Sequence, residues 1–452
     1  LTELRFNLAL RRAQIHAQRG EFEPALRSGE AALAAARGTQ PPDVDAQVAA
    51  LAALGQIAVK AAQAPRAESV LREALALHAS TQRPDTSSVA AIRHELGGVL
   101  LTLGRHDEAQ RELEEALELR RRLYGPRHTA TGESLGQLGR THSERRQYAL
   151  ALPMLEEALA ITLEQLPRTH PNVATAMSRL ADCRRANRDR EGALPLYREA
   201  LDIRRATYGE VHPVVARSHG NLGLCLQELK QYEEAEQHLR SAIEQRRGMP
   251  GEEAALATNL QTLGLVREAR GFPAERLDLD REALTLLRAG LPASADTLAW
   301  ALSRQAAYLQ ERGLPAESIP LTEEALRVRE QLHGPEHPRT ARALSDLGSA
   351  LVFNREFPRG IELLTLAVER MRRCEPRDES DFGLTLERLA SALHQDGRSA
   401  ESLPFWNEAL DTTQRALGAT HSRTQRVRTR YAEVLRRSGR VEEAAALEAQ
   451  GK

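Results

Sequence analysis

One period governs this chain and leaves few folds open to it. Small residues stand at Ala25, Ala67, Ala109, Ala151, Ala193 and Ala235, each 42 residues after the last, and the register runs on through Arg276, Ser318, Gly360, Ser402 and Ala444 with one step of 41. Seven residues beyond each of the first ten comes an alanine: Ala32, Ala74, Ala116, Ala158, Ala200, Ala242, Ala283, Ala325, Ala367 and Ala409. A second small position recurs at Ala13, Gly55, Gly97, Gly139, Ala181, Gly223, Gly264, Ala306, Gly348, Ala390 and Ala432. Positions held to Gly or Ala throughout are places where a neighbouring backbone passes too close for a larger side chain. A unit of this length cannot bury its own apolar face, so the copies must stack on one another.

The unit is clearest at residues 209–246. Leu222, Gly223, Leu226 and Leu229 fall at helical spacing, as do Ala235, Leu239, Ala242 and Ile243, and Lys230-Gln231 marks the break between the two segments. Pro213 suits a first helical turn, where its missing N–H has no helical carbonyl to bond. Each repeat therefore reads as an antiparallel pair of amphipathic helices. Connectors such as Tyr124-Gly125-Pro126-Arg127-His128 stop one repeat and cap the next.

These residues resemble the tetratricopeptide repeat (TPR), with its Leu-Gly or Leu-Ala in the first helix and two small positions in the second. The 42-residue length and the Gly-x-x-His-Pro connector, as in Gly209 to Pro213 and Gly334 to Pro338, are similar to the kinesin light chain subgroup, a long form that bacterial proteins also use. The resemblance implies an all-α, right-handed superhelical α-solenoid of about ten and a half repeats. It also implies a cytoplasmic, non-catalytic scaffold that holds an extended or helical partner segment in a concave groove.

The bulk numbers agree with that expectation. Hydrophobic residues make up 41% but aromatic residues only 4%, which suits helices packed through Ala and Leu. The net charge of −1 gives no global field to recruit nucleic acid or an anionic membrane. Lysine occurs only at Lys60, Lys230 and Lys452, a bias toward arginine that reads first as a genomic one. Three cysteines form no disulfide framework, and Cys183 and Cys225, one repeat apart, read as buried free thiols suited to a reducing compartment. No apolar run is long enough to span a bilayer, and no signal peptide is present. The chain begins at Leu1 rather than at methionine, so an upstream portion is expected. That motivates a rival reading, in which the solenoid is the C-terminal regulatory or substrate-selecting region of a bacterial signalling enzyme such as a Ser/Thr kinase or a nucleotide-switch ATPase.

The expected organisation is repeats 1 to 6 over residues 1–243, an irregular seam and the start of repeat 7 over 244–280, and repeats 7 to 10 plus a truncated eleventh over 281–452. Repeat 1 ends at the helix-breaking Pro41-Pro42 connector, and the eleventh repeat is cut short at Lys452. The seam is expected where GMPGEEAALA replaces the His-Pro connector. Arg276 then takes a small-residue position, and Asp280 and Thr322 stand where other repeats carry Leu155, Tyr197, Leu364 or Trp406. An unpaired buried Arg276 would cost several kcal/mol, so its helix must shift or its guanidinium must reach solvent.

Few motifs carry chemistry. Gly132-Glu133-Ser134-Leu135-Gly136 matches a hydrolase nucleophile elbow, but all five residues lie within a predicted helix, so Ser134 reads as a solvent-facing helical serine. His128, His170, His212, His337 and His421 are too widely separated to share a metal ion and are expected to bond helix-end groups. No cofactor, metal or small-molecule substrate is expected. Trp406 reads as core. Trp300 points into the groove by the TPR position rule and is a candidate hot spot.

The same rule places two arginine clusters there: Arg140, Arg179, Arg185 and Arg217 with Asn221, and Arg342, Arg388, Arg426, Arg430 and Arg437. Arginine forks bind carboxylates or phosphates bidentately, so an acidic partner is expected. The carboxyl-terminal cluster is favoured because fewer carboxylates oppose it. The Lys and Asn clamp of some family members is expected to be missing, since Ser178, Gly220 and Gln261 stand where it needs lysines and only Asn221 matches.

Overall fold

The computed structural model describes residues 2–449 except 20, 42, 62, 82, 83, 85, 250, 293 and 376, so the expectations for Pro42 and for the chain end at Lys452 lie outside the described residues. The described residues form 22 helices and no strand. They divide into two compact units, Leu1–Gln245 and Arg246–Lys452.

The first unit holds six helix pairs: α1 (Thr2–Gln18) with α2 (Phe22–Arg37), α3 (Val44–Lys60) with α4 (Ala64–Ala79), α5 (Ser87–Thr102) with α6 (His106–Tyr124), α7 (Thr129–Glu144) with α8 (Tyr148–Gln165), α9 (Pro171–Ala186) with α10 (Arg190–Tyr208), and α11 (Pro213–Glu228) with α12 (Tyr232–Arg246), whose last residue belongs to the second unit. The second holds five: α13 (Glu253–Ala269) with α14 (Pro273–Ala289), α15 (Ala295–Glu311) with α16 (Pro315–His333), α17 (Pro338–Phe353) with α18 (Phe357–Arg373), α19 (Glu379–Gln395) with α20 (Ser399–Leu417), and α21 (Ser422–Arg437) with the short α22 (Val441–Ala449). Each unit is a stretch of α-solenoid in which the pairs stack in chain order.

The period explains the packing. Every alanine of the first set, from Ala25 to Ala235, is fully buried. A Cβ added at Gly97, Gly139 or Gly223 would stand 2.5–2.8 Å from the Cγ of Leu113, Leu155 or Leu239, four residues after the small position of the second helix. The close neighbour at these glycines is thus a leucine side chain rather than the backbone expected, although at Gly348 the Gly360 carbonyl is only 3.0 Å away. Each such leucine contributes about 1.5–3 kcal/mol of burial, and only a residue without a large side chain opposite admits it.

The turns repeat as strictly. From α6 onward, the residue before the cap of each second helix has a positive φ: glycine at Gly104, Gly271, Gly313, Gly397 and Gly439, but Arg146, Arg188, Lys230 and Arg355 in four other repeats. The connector histidines cap the helices that follow. Nδ1 of His128, His170, His212, His337 and His421 accepts the N–H two residues on at 3.1–3.2 Å, as expected of a side chain that serves an unpaired helix-end donor. Cys183 and Cys225 are buried and free, and burial pushes the Cys225 thiol up to about 11, far from a reactive thiolate.

Arg276 corrects the sequence reading. Its guanidinium does not escape to solvent. It pairs with Glu268, lies 3.6 Å from Asp280 and sits 3.6 Å over the Tyr308 ring. Asp280, at the leucine position of the same helix, is 4% exposed, and burial raises its carboxyl above the usual range. Repeat 7 has a buried ion pair where repeat 6 has the apolar contact of Leu239.

Candidate partner-binding face

Within each unit, the residues two places before the small position of each first helix form one row. In the first unit this row reads Arg11, Ala53, Glu95, Gln137, Arg179, Asn221, and in the second Thr262, Arg304, Asp346, Arg388, Arg430. The predicted site residues gather on or beside this row within each unit, but their charges are not equally available.

In the first unit Arg140 bonds Glu144 at 2.7 Å, one turn along its own helix, and Arg185 bonds Glu228 at 2.9 Å, a carboxylate it shares with Arg190. Asn221 reaches Asp182 at 3.5 Å, where the Tyr197 hydroxyl already donates at 2.5 Å. Arg179 and Arg217 have no hydrogen bond or ion pair among the described residues. Arg217 is exposed. Arg179 lies half-buried against Gly136, its Nη1 2.9 Å from where a Cβ of that glycine would stand. Burial, then the nearby Arg140, pushes Arg179 down to about 10, so it remains charged at neutral pH.

In the second unit Trp300 is 47% exposed, with the Arg304 guanidinium 4.4 Å from its ring centroid. Trp406, by contrast, is core at 2% exposure, as expected. The expectation that fewer carboxylates oppose the carboxyl-terminal arginines is corrected by the packing of neighbouring first helices. Arg342 pairs with Asp381, and Arg388 with Asp346 at 2.8 Å. Arg426 and Arg430 lie 3.6 and 3.3 Å from Glu387, which is only 4% exposed. Arg437 approaches His394 at 3.5 Å rather than a carboxylate. Glu387 and Asp381 belong to the helix before or after their arginines, one period away, which is why a reading along each helix passed them over.

Ser134 is also corrected. It lies within α7, as expected, but is fully buried rather than solvent-facing. Its Oγ accepts from Arg120 at 3.1 Å and lies 3.3 Å from His94 Nδ1. An arginine N–H on the oxygen and a helical backbone around it leave no geometry for nucleophilic attack.

Beside this contact is a cavity of about 290 Å³ that sequence reasoning missed. It opens among α5, α7, α8 and α9, with His94, Glu95, Glu133 and Arg179 as its ionisable walls and Gly132, Gly136 and Ala158 as its floor. Burial, with Arg120 and Arg179 nearby, pushes His94 down to about 3 and keeps it neutral. Burial raises the Glu95 carboxyl above the usual range. Among the described residues no group of three or more side chains could hold a metal ion, and no helix is long and apolar enough to cross a membrane.

Comparison with known proteins agrees with the geometry. The family profile described as tetratricopeptide repeat matches residues 88–164, 172–248, 297–373 and 381–451. A Rap protein solved in complex with Competence and Sporulation Factor shares the fold at TM-score 0.52 and 13% identity, over 87% of this chain and 99% of that one. A Podosopora anserina protein of kinesin light chain, nearly identical TPR-like repeats is 21% identical over 45% of this chain and 97% of its own, at TM-score 0.39. No curated protein matches the chain. With the profile matched over most of its length and the paired-helix stack behind it, this chain belongs to the tetratricopeptide repeat family.

Proposed function

We propose that the chain is a non-catalytic scaffold that binds a partner protein segment along the first-helix face, and that the first unit takes acidic side chains of that segment. The observation that carries this reading is the contrast among the arginines. Arg140, Arg185, Arg342, Arg388, Arg426 and Arg430 all lie within ion-pair distance of carboxylates of their own chain, whereas Arg179 and Arg217, on adjacent first helices, make no ion pair among the described residues. A held guanidinium without a partner accepts a carboxylate bidentately with little ordering cost. In the second unit, Trp300 beneath Arg304 offers an aromatic anchor of the kind that dominates binding energy.

The test is selection of a random peptide library on the purified full chain, followed by affinity measurement of the enriched peptides. Acid-bearing peptides are expected, with binding at least ten-fold weaker to Arg179→Glu/Arg217→Glu at unchanged helical content. Enrichment without acidic bias, or equal binding to the variant, would overturn the reading.

A further inference from the structure

The cavity beside Arg179 has a cause that can be read from the register. In repeat 3 the buried Arg120 of α6 donates to the Ser134 hydroxyl at 3.1 Å and the Ala130 carbonyl at 2.7 Å, which ties its helix to the next repeat. Two periods on, Arg204 of α10 donates to Ser218 at 2.7 Å and to the Ala174 carbonyl at 3.4 Å. Both arginines are 6% exposed. Between them the pair is lost on both sides, because Thr162 stands at the arginine position and Ala176 at the serine position. Thr162 turns its hydroxyl back onto its own helix, donating to the Ala158 carbonyl at 2.7 Å. Thr162 and Ala176 both line the cavity, which occupies the space a bridging arginine fills in the neighbouring repeats.

The opening is charged oppositely on its two sides. Arg179, on α9, makes no hydrogen bond or ion pair among the described residues, and Glu133 acts on it only across the cavity. Glu95, on α5, has no hydrogen bond or ion pair among the described residues, and Glu133, 52% exposed, adds a second carboxylate whose nearest cation is Arg120 at 3.7 Å. The volume holds roughly ten non-hydrogen atoms at the packing of a condensed phase. A purely anionic ligand would leave Glu95 and Glu133 uncompensated, and a purely cationic one would leave Arg179 so.

We propose that this cavity binds a compact zwitterion, its carboxylate on Arg179 and its ammonium or guanidinium on Glu95 and Glu133. The proposal deepens the reading of this face as a partner-binding surface. It names the chemistry of one subsite, which a free amino acid or a partner residue carrying both charges would satisfy alike. The raised Glu95 carboxyl fits, since a cation beside it restores the ionised form.

The experiment uses three probes of equal reach, 6-aminohexanoate, hexanoate and hexylamine, titrated into the full chain and followed by the NMR signals of His94. The zwitterion is expected to bind at least ten-fold tighter than either singly charged probe. Arg179→Met should abolish its advantage over hexylamine, and Glu95→Gln its advantage over hexanoate. Thr162→Arg/Ala176→Ser rebuilds the bridge of the neighbouring repeats and should remove binding while keeping the fold. Equal binding of the three probes, no binding of the zwitterion, or full binding to the rebuilt variant overturns the proposal. Competition between 6-aminohexanoate and a selected peptide assigns the source: displacement places a peptide residue in the cavity, and simultaneous binding of both indicates a free ligand. Should peptides require Arg179 while the zwitterion does not bind, the partner-binding face stands and this subsite falls.

Discussion

The buried pair in repeat 7 makes a quantitative test of how this solenoid tolerates charge. Arg276→Ala removes the cation nearest Asp280 and leaves a carboxylate that is 4% exposed with no hydrogen-bonded partner, at a cost of about 3–5 kcal/mol. Asp280→Leu is milder, because Arg276 keeps Glu268 and the Tyr308 ring, and a cost of about 1–2 kcal/mol is expected. The double change restores what repeats 2, 3, 4 and 6 carry, an alanine against the first helix and a leucine against its glycine, here Gly264. Replacing a buried ion pair by well-packed apolar groups is neutral or stabilising by about 1–4 kcal/mol. The cycle should therefore give a coupling of at least about 4 kcal/mol. Because repeat arrays open in parts, the assay is native-state hydrogen exchange resolved to α13 and α14 rather than a single global melt. If Arg276→Ala opens these helices no more readily than the double variant does, Asp280 is not held by Arg276 and the account of repeat 7 is wrong.

Two further outcomes are expected. Lys230 holds a φ of 62° at a turn where five other repeats use glycine, so Lys230→Gly should stabilise the first unit by about 0.5–1 kcal/mol in urea, and Lys230→Ala should give no gain. His94, pushed down to about 3 against an ordinary 6.5, stays neutral when folded and binds its proton more readily when unfolded. Its contribution to stability is therefore complete above pH 6.5 and is lost as the pH falls toward 3. NMR titration should find His94 unprotonated at pH 5, and Arg179→Met should raise its pKa by removing a neighbouring positive charge.

Much of the architecture was legible because it is written in repetition. The alanines from Ala32 to Ala409, the glycines opposite Leu113, Leu155 and Leu239, and the capping histidines each obey a local rule that needs no knowledge of distant residues. The arginines were less legible. Arg342, Arg388 and Arg430 look available along their own helices, yet each meets a carboxylate one period away, on the neighbouring first helix. The cavity was missed for the same reason: its signal is two absences, Thr162 and Ala176, that matter only because Arg120–Ser134 and Arg204–Ser218 bridge the repeats on either side.

Sequence alone determined the repeating unit, its helix pairing, its family and the roles of residues whose contacts lie within one repeat. Steric fit between small positions and leucines is short-ranged and admits one register, so the pattern suffices. Tertiary structure decided which charges are spent and which remain. Whether a guanidinium is paired depends on what the stack places within about 4 Å of it, and for Arg276, Arg388 and Arg179 that partner, or its absence, comes from another helix.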